Sequence, residues 1–152
     1  MDEQFIRRAI ELSAAAAAHG NEPFGAVLVK DGKIVFENEN QIYTQHDPSF
    51  HGEAGLIRTF CAQTGITELR EYTLYSSCEP CFMCSGAMVW AKLGRLVYAA
   101  SNTDLGEILG KTGCNCAKIV FDHSGWKPAV SAGVLREERV AVLREYFGKR
   151  RK

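Results

Sequence analysis

The order of secondary-structure signals constrains this chain most: helix, strand, strand, helix, strand, helix, strand. Phe5, Ile6, Ala9, Ile10, Leu12 and Ser13 run into Ala14–Ala18 at helical spacing, and His19-Gly20 supplies a stop. Gly25–Val29 and Lys33–Glu37 flank Asp31-Gly32, a hairpin turn signal. Residues 38–50 are polar, contain Asp47-Pro48 and read as a loop. His51 and Glu53 then open a helix carried by Ala54, Leu56, Ile57, Phe60 and Cys61. Tyr72–Ser76 predicts a strand. Pro80 heads a further helix with Ala87, Met88, Val89, Trp90 and Leu93 along it, and Arg95–Ala100 predicts another strand. Such alternation predicts an α/β unit, a sheet covered by helices. The Gly-rich stretch 101–118 shows no clear period. Lys127–Ser131 offers a last short strand, and Val134–Phe147 closes the chain as an amphipathic helix. At 152 residues, without repeat or linker, a single domain over 1–152 is expected.

Composition narrows the function classes. With 46% hydrophobic and 24% charged residues, disordered, collagen-like and coiled-coil readings fall away. Eighteen basic residues balance eighteen acidic ones, and a net charge of zero is a poor footprint for a protein that lives on phosphates. The basic run from Gly148 to Lys152 reads as a solvated tail. No apolar stretch approaches the roughly 18 to 20 residues that span a bilayer, and Met1-Asp2-Glu3-Gln4 lacks a cationic leader, so a cytoplasmic protein without membrane contact is expected. Six cysteines in that setting point to metal binding or catalysis rather than to disulfides.

Two segments carry the chemistry, His51-Gly52-Glu53 and Pro80-Cys81-Phe82-Met83-Cys84, each at the opening of a helix. Cysteines three apart share a helix face, where the helix N-terminus favours the thiolate. Two thiolates and an imidazole make three ligands for tetrahedral zinc and leave the fourth position open for water. Glu53 can reach that water without binding the metal, accepting its proton and delivering it to a substrate nitrogen. His-x-Glu followed by Pro-Cys-x-x-Cys is the signature of zinc deaminases.

On these motifs, and on Glu22–Val27, Asn40, His46-Asp47-Pro48 and Ser77–Cys81, the chain resembles the cytidine deaminase-like superfamily over essentially its whole length, in its nucleobase and transfer-RNA deaminase branch. The resemblance implies a three-layer α/β/α sandwich with a central mixed sheet of about five strands. It also implies one catalytic zinc, hydrolytic loss of ammonia from an amino-purine or amino-pyrimidine, and a homodimer. By the same resemblance, His51, Cys81 and Cys84 hold zinc and Glu53 shuttles protons. Asn40 hydrogen-bonds the base, the Gly52 N–H faces its reacting edge, and Phe24 walls the pocket. Where related enzymes commonly carry His-Ala-Glu, this chain has Gly52, and the missing methyl is expected to make the pocket floor roomier.

Asp104 and Glu107 follow the strand ending at Ala100, in a region that the resemblance makes a substrate-facing loop; each is a candidate to grip the substrate's amino edge or, equally, a solvated loop carboxylate. Trp126, Tyr146 and Phe147 are candidates for a lid over the base or, equally, for a core or dimer role. Cys78 reads as a packed thiol beside the site, and Cys114 and Cys116 as thiols of a loop or pocket rim rather than a second metal site. Glu22–Val27, Tyr98–Asp104 and the zero net charge favour a small substrate, a free base of the guanine type, with cytosine or isocytosine also possible in kind. His46-Asp47-Pro48 and the closing stretch Gly133–Lys152 favour a transfer-RNA adenosine deaminase, which should also carry a basic rim for phosphates. The weight falls on the free base. A non-catalytic zinc-binding module is the competing class, and it would tolerate loss of Glu53.

Overall fold

The computed structural model describes residues 1–150, with side chains through Gly148. The basic run therefore falls largely outside the described residues. The chain begins with α1 (Asp2–Ala18), whose first turn carries Asp2 and Glu3, as suits the positive end of a helix dipole. Its buried stripe is Phe5, Ile6, Ala9, Ser13 and Ala16. The hairpin β1 (Gly25–Lys30) and β2 (Lys33–Glu39) follows. Asp31 and Gly32 both adopt positive φ, 53° and 74°, as a two-residue turn matched to strand twist requires.

Next come α2 (Gly52–Thr64), β3 (Thr73–Cys78), α3 (Phe82–Trp90) and β4 (Arg95–Ala100). The chain then runs through α4 (Asn102–Leu109), α5 (Cys116–Asp122), β5 (Ala129–Ala132) and α6 (Arg136–Arg150). The five strands lie in the order β2-β1-β3-β4-β5. β1 runs antiparallel to both neighbours, while β3, β4 and β5 are mutually parallel. The expected three-layer sandwich around a mixed five-stranded sheet is what forms.

Alternate residues of each strand feed different layers, because successive side chains leave opposite faces. Ala26, Leu28, Leu74 and Leu96 pack with Leu56, Phe60, Met88 and Phe121 of α2, α3 and α5. Val27, Val29, Tyr75, Val97 and Ala99 meet Phe5 and Ile6 of α1. A third cluster joins Leu143 of α6 to Cys78 and Ala100 at the ends of β3 and β4. Apolar residues on both faces are the signature of a sheet covered on both sides.

Gly25 sets the closeness of the first layer. A Cβ there would stand 2.5 Å from the Ala9 carbonyl oxygen and 2.7 Å from Leu12 Cβ, so only glycine lets α1 lie this tightly on the start of β1. That contact fixes where Phe24 emerges.

The stretch without a clear period contains two helices, α4 and α5. α4 starts in a capping box, with the Ser101 hydroxyl accepting from the Asp104 N–H at 3.0 Å and the Asp104 carboxylate accepting from the Ser101 N–H at 3.0 Å. Gly110, at φ 71°, ends it in the left-handed conformation. Among the described residues no helix is long and apolar enough to cross a membrane.

Candidate active site

β3 and β4 are parallel, so their C-terminal ends lie side by side, and the chain leaves them into α3 and α4 at one edge of the sheet. Open α/β sheets bind ligands at such edges. His51 is the N-cap of α2 and Cys81 the N-cap of α3, both in extended conformation. The Gly55 N–H donates to the His51 carbonyl and the Ser85 N–H to that of Cys81, each at 2.9 Å. Two helix N-termini therefore converge and carry the two caps toward each other.

His51 Nδ1 lies 3.6 Å from Cys81 Sγ and 3.7 Å from Cys84 Sγ. All three atoms fall within 4.8 Å of one another. Tetrahedral zinc, with bonds of about 2.3 Å to sulfur and about 2.05 Å to nitrogen, sets nitrogen and sulfur ligands about 3.6 Å apart. The triad fits zinc. It is the one such cluster among the described residues. Cys114 Sγ and Cys116 Sγ, 3.2 Å apart, gather no third ligand.

Electrostatics favour the same use. A hydrogen bond from Cys84, then one from His51, brings the Cys81 thiol down to about 4 against the cost of burial. Sharing with Cys81, burial and the nearby Glu53 push the Cys84 thiol up. His51 is raised by its contact with Cys81. A cation among these three groups offsets both the burial and the repulsion. Zinc held by His51, Cys81 and Cys84 would lower the pKa of a water and so supply a nucleophile at neutral pH.

Glu53, in the first turn of α2, is 6% exposed. Burial, followed by the charge of Cys81, lifts its carboxyl to about 7, with His51, Cys84 and Ser76 opposing. A carboxyl poised near neutrality serves as acid and base in turn.

A cavity of about 270 Å³ opens above these groups. Phe24, Asn40, His51, Glu53 and Cys81 line it. Asn40 is buried, donates its backbone N–H to the Phe24 carbonyl at 2.9 Å and accepts the Ile42 N–H on Oδ1 at 3.1 Å, which leaves its amide N–H groups as donors. Cys84 lies below, fully buried.

The structure departs from the sequence reading at several positions. Asp104 does not line this cavity: its carboxylate caps α4 and accepts from Arg136 Nε at 3.0 Å and Nη2 at 2.7 Å. Glu107 is exposed and borders a separate hollow with Ile108, Arg144 and Phe147. Asn102 and Leu105, on another side of α4, face the site instead.

A methyl on Gly52 would meet Phe24 O and Gly25 Cα at 3.5 Å, so it would point at the backbone beside β1 and would not take up the pocket floor. Trp126 is no lid, since its Nε1–H donates to the Leu93 carbonyl at 2.8 Å and its ring stacks on Arg70. Tyr146 and Phe147 pack edge to face on α6, with Phe147 against the cluster behind the cavity.

Glu79 is the residue the sequence reading passed over. It is 4% exposed, lines the cavity, and accepts the Asn102 N–H on Oε1 at 3.0 Å and the Ala117 N–H on Oε2 at 3.1 Å. One carboxylate thus ties the end of β3 to the starts of α4 and α5.

Residues 1–100 match the model of the cytidine and deoxycytidylate deaminase zinc-binding region. The chain belongs to this deaminase family. The deaminase is 44% identical over 106 residues to the guanine deaminase of Bacillus subtilis, covering 69% of this chain and 68% of that one. It is 37% identical over 151 residues to the tRNA-specific adenosine deaminase of Haemophilus influenzae, 99% of this chain and 85% of that one. Among solved structures, the guanine deaminase of Nitrosomonas europaea superposes with a TM-score of 0.81 at 26% identity, covering 96% of this chain and 84% of that one. The deaminase is thus a zinc-dependent hydrolase of the nucleobase and transfer-RNA branch, with His51, Cys81 and Cys84 forming its zinc site.

Proposed function

We propose that the deaminase converts free guanine to xanthine and ammonia. The near-full-length superposition on the Nitrosomonas guanine deaminase carries this reading. The cavity supports it: its volume of about 270 Å³ sits just below the roughly 300–1,000 Å³ typical of ligand pockets, a size suited to one base. Phe24, Ile42 and Leu105 supply apolar walls for a flat ring, and Asn40 supplies donors for an acceptor edge. Glu53 takes one proton from the attacking water and delivers it to the ring nitrogen, then takes the proton left on the added hydroxyl and delivers it to the departing amine. Water is added, the C–N bond breaks and ammonia leaves.

A second reading rests on the Haemophilus tRNA-specific adenosine deaminase, which aligns with 99% of this chain. It makes adenosine in a transfer RNA the substrate and the basic terminus an RNA contact. The balanced charge weighs against it. Ammonia release by zinc-loaded protein from guanine, cytosine, isocytosine, adenine and an adenosine-bearing anticodon stem-loop separates the two. Turnover of guanine is expected; turnover of the stem-loop alone would replace this reading with the second.

A homodimer goes with the proposal. Phe82, Met83 and Trp90 of α3 are 52, 40 and 88% exposed, an apolar face of the kind that a second copy covers. Sedimentation of W90E is expected to give monomer where the parent gives dimer. A cytoplasmic setting suits the six free cysteines.

A further inference from the structure

Arg139 is the largest fully buried side chain among the described residues, at 0% exposure at the end of the first turn of α6. A guanidinium keeps its charge at any ordinary pH, so burial without a counter-ion is costly. No carboxylate pairs with it among the described residues. Its Nε donates to Cys78 Sγ at 3.3 Å, one Nη to Ser13 Oγ at 2.9 Å, and the other Nη to the Pro23 carbonyl. Its Cζ lies over the Phe24 ring, 5.6 Å from the centroid.

These contacts belong to three separate parts of the chain: α1, the segment entering β1, and the end of β3. Packing alone does not call for a cation here, because an apolar side chain of similar volume fills such a space without desolvating a charge. What the planar fork supplies is direction. Three donors at fixed angles set a sulfur, a hydroxyl and a carbonyl relative to one another, and the charge of the same group sits over an aromatic ring. Two of the groups so fixed, Phe24 and Cys78, line the cavity above the zinc ligands. Leu105 and Phe24 also pack against the Cys78–Ala100–Leu143 cluster, so the wall rests on α6 on more than one side.

We infer that Arg139 is a positioning residue for substrate binding, holding the Phe24 ring and the Cys78 sulfur as fixed walls of the base pocket. Among the described residues no hydrogen bond of Arg139 goes to a zinc ligand or to Glu53, and it acts on the substrate through Phe24. The inference rests on the reading that the cavity receives a free base.

R139M leaves the Ser13 and Pro23 acceptors unpaired and can fail to fold, so R139K, which keeps charge and a donor, carries the test. Lysine offers a point charge where arginine offers a fork. R139K is expected to bind one zinc and to melt cooperatively. Its KM for guanine should rise by about tenfold or more with a much smaller change in kcat, as displaced pocket walls predict. In an F24L background the same substitution should change KM by less than about twofold, because the two residues act through one contact.

KM for R139K within about twofold of the parent, or effects of R139K and F24L that multiply, would overturn the inference. A fluorine resonance reads the contact without substrate: zinc-loaded protein labelled with fluorophenylalanine, its Phe24 signal assigned by loss in F24L. That signal should move in R139K, and an unmoved signal also overturns the inference. If the parent turns over no free base, the substrate proposed above fails, and the fluorine shift still decides the case of Arg139.

Discussion

Arg136 holds both carboxylate oxygens of Asp104, at 3.0 and 2.7 Å, and so fastens the start of α6 to the first turn of α4. An acidic residue that its place in the chain makes a candidate to hold substrate is instead spent on joining two helices. D104N should leave KM for the base within about twofold of the parent and lower stability by about 1 kcal/mol, the scale of a lost cap in a partly exposed setting.

The sign of the pH dependence follows from the same contact. Arg136, aided by Ser101, holds the Asp104 carboxyl below the usual carboxylate range. A carboxyl lowered by folding adds stability above its unfolded value of about 3.9, and loses it as pH falls toward the folded value. Denaturant curves of the parent and D104N should be separated at pH 7 and converge as the solution is acidified through that window.

Glu79 is expected to matter more to stability than Asp104. E79A would leave the Asn102 and Ala117 N–H groups without their acceptor, the latter in a buried contact. Each buried unpaired donor costs about 1–3 kcal/mol, so thermal denaturation should show E79A well below D104N.

E53Q separates chemistry from metal binding. The amide keeps the shape of the side chain and cannot carry a proton between water and substrate. Metal analysis should return one zinc per chain, while turnover drops by about a hundredfold to ten-thousandfold or more. Parental turnover in E53Q would remove Glu53 from the mechanism.

G52A tests the pocket floor. The added methyl meets the Phe24 carbonyl at ordinary contact distance, and alanine gains on glycine in a helix. The melting midpoint should hold or rise, by the equivalent of up to about 1 kcal/mol, and the ranking of bases should not change. A changed ranking would mean that the methyl reaches the pocket after all.

Much of this arrangement was legible because it is local. Strand alternation, the Asp31-Gly32 turn and helix-opening motifs at His51 and Cys81 each depend on neighbours within a few residues. The Ser101 and Asp104 pair that caps α4 lies in the stretch 101–118, which showed no clear period, and it became visible only in the hydrogen bonds of the fold. Which side of that helix meets the cavity was not legible either. Asn102 and Leu105 are three apart and share one side; Asp104 and Glu107 are also three apart and share another. Spacing groups them correctly but cannot say which pair looks inward, since that depends on how α6 closes over α4. Arg139 hides for a related reason: among the charges of the last helix it reads as one more solvated residue, and only its contacts with α1, Pro23 and Cys78 show otherwise.

The tight turn at Asp31 and Gly32 sits at the far end of β1 from Phe24. Five residue steps of strand carry β1 about 17 Å from Gly25 to Lys30, where the turn begins. Both turn residues are exposed, and a Cβ on Gly32 would meet nothing within 4 Å. A fusion partner or surface tether joined there would leave the mouth of the cavity clear, making this hairpin the natural handle for immobilising the enzyme with its active face outward.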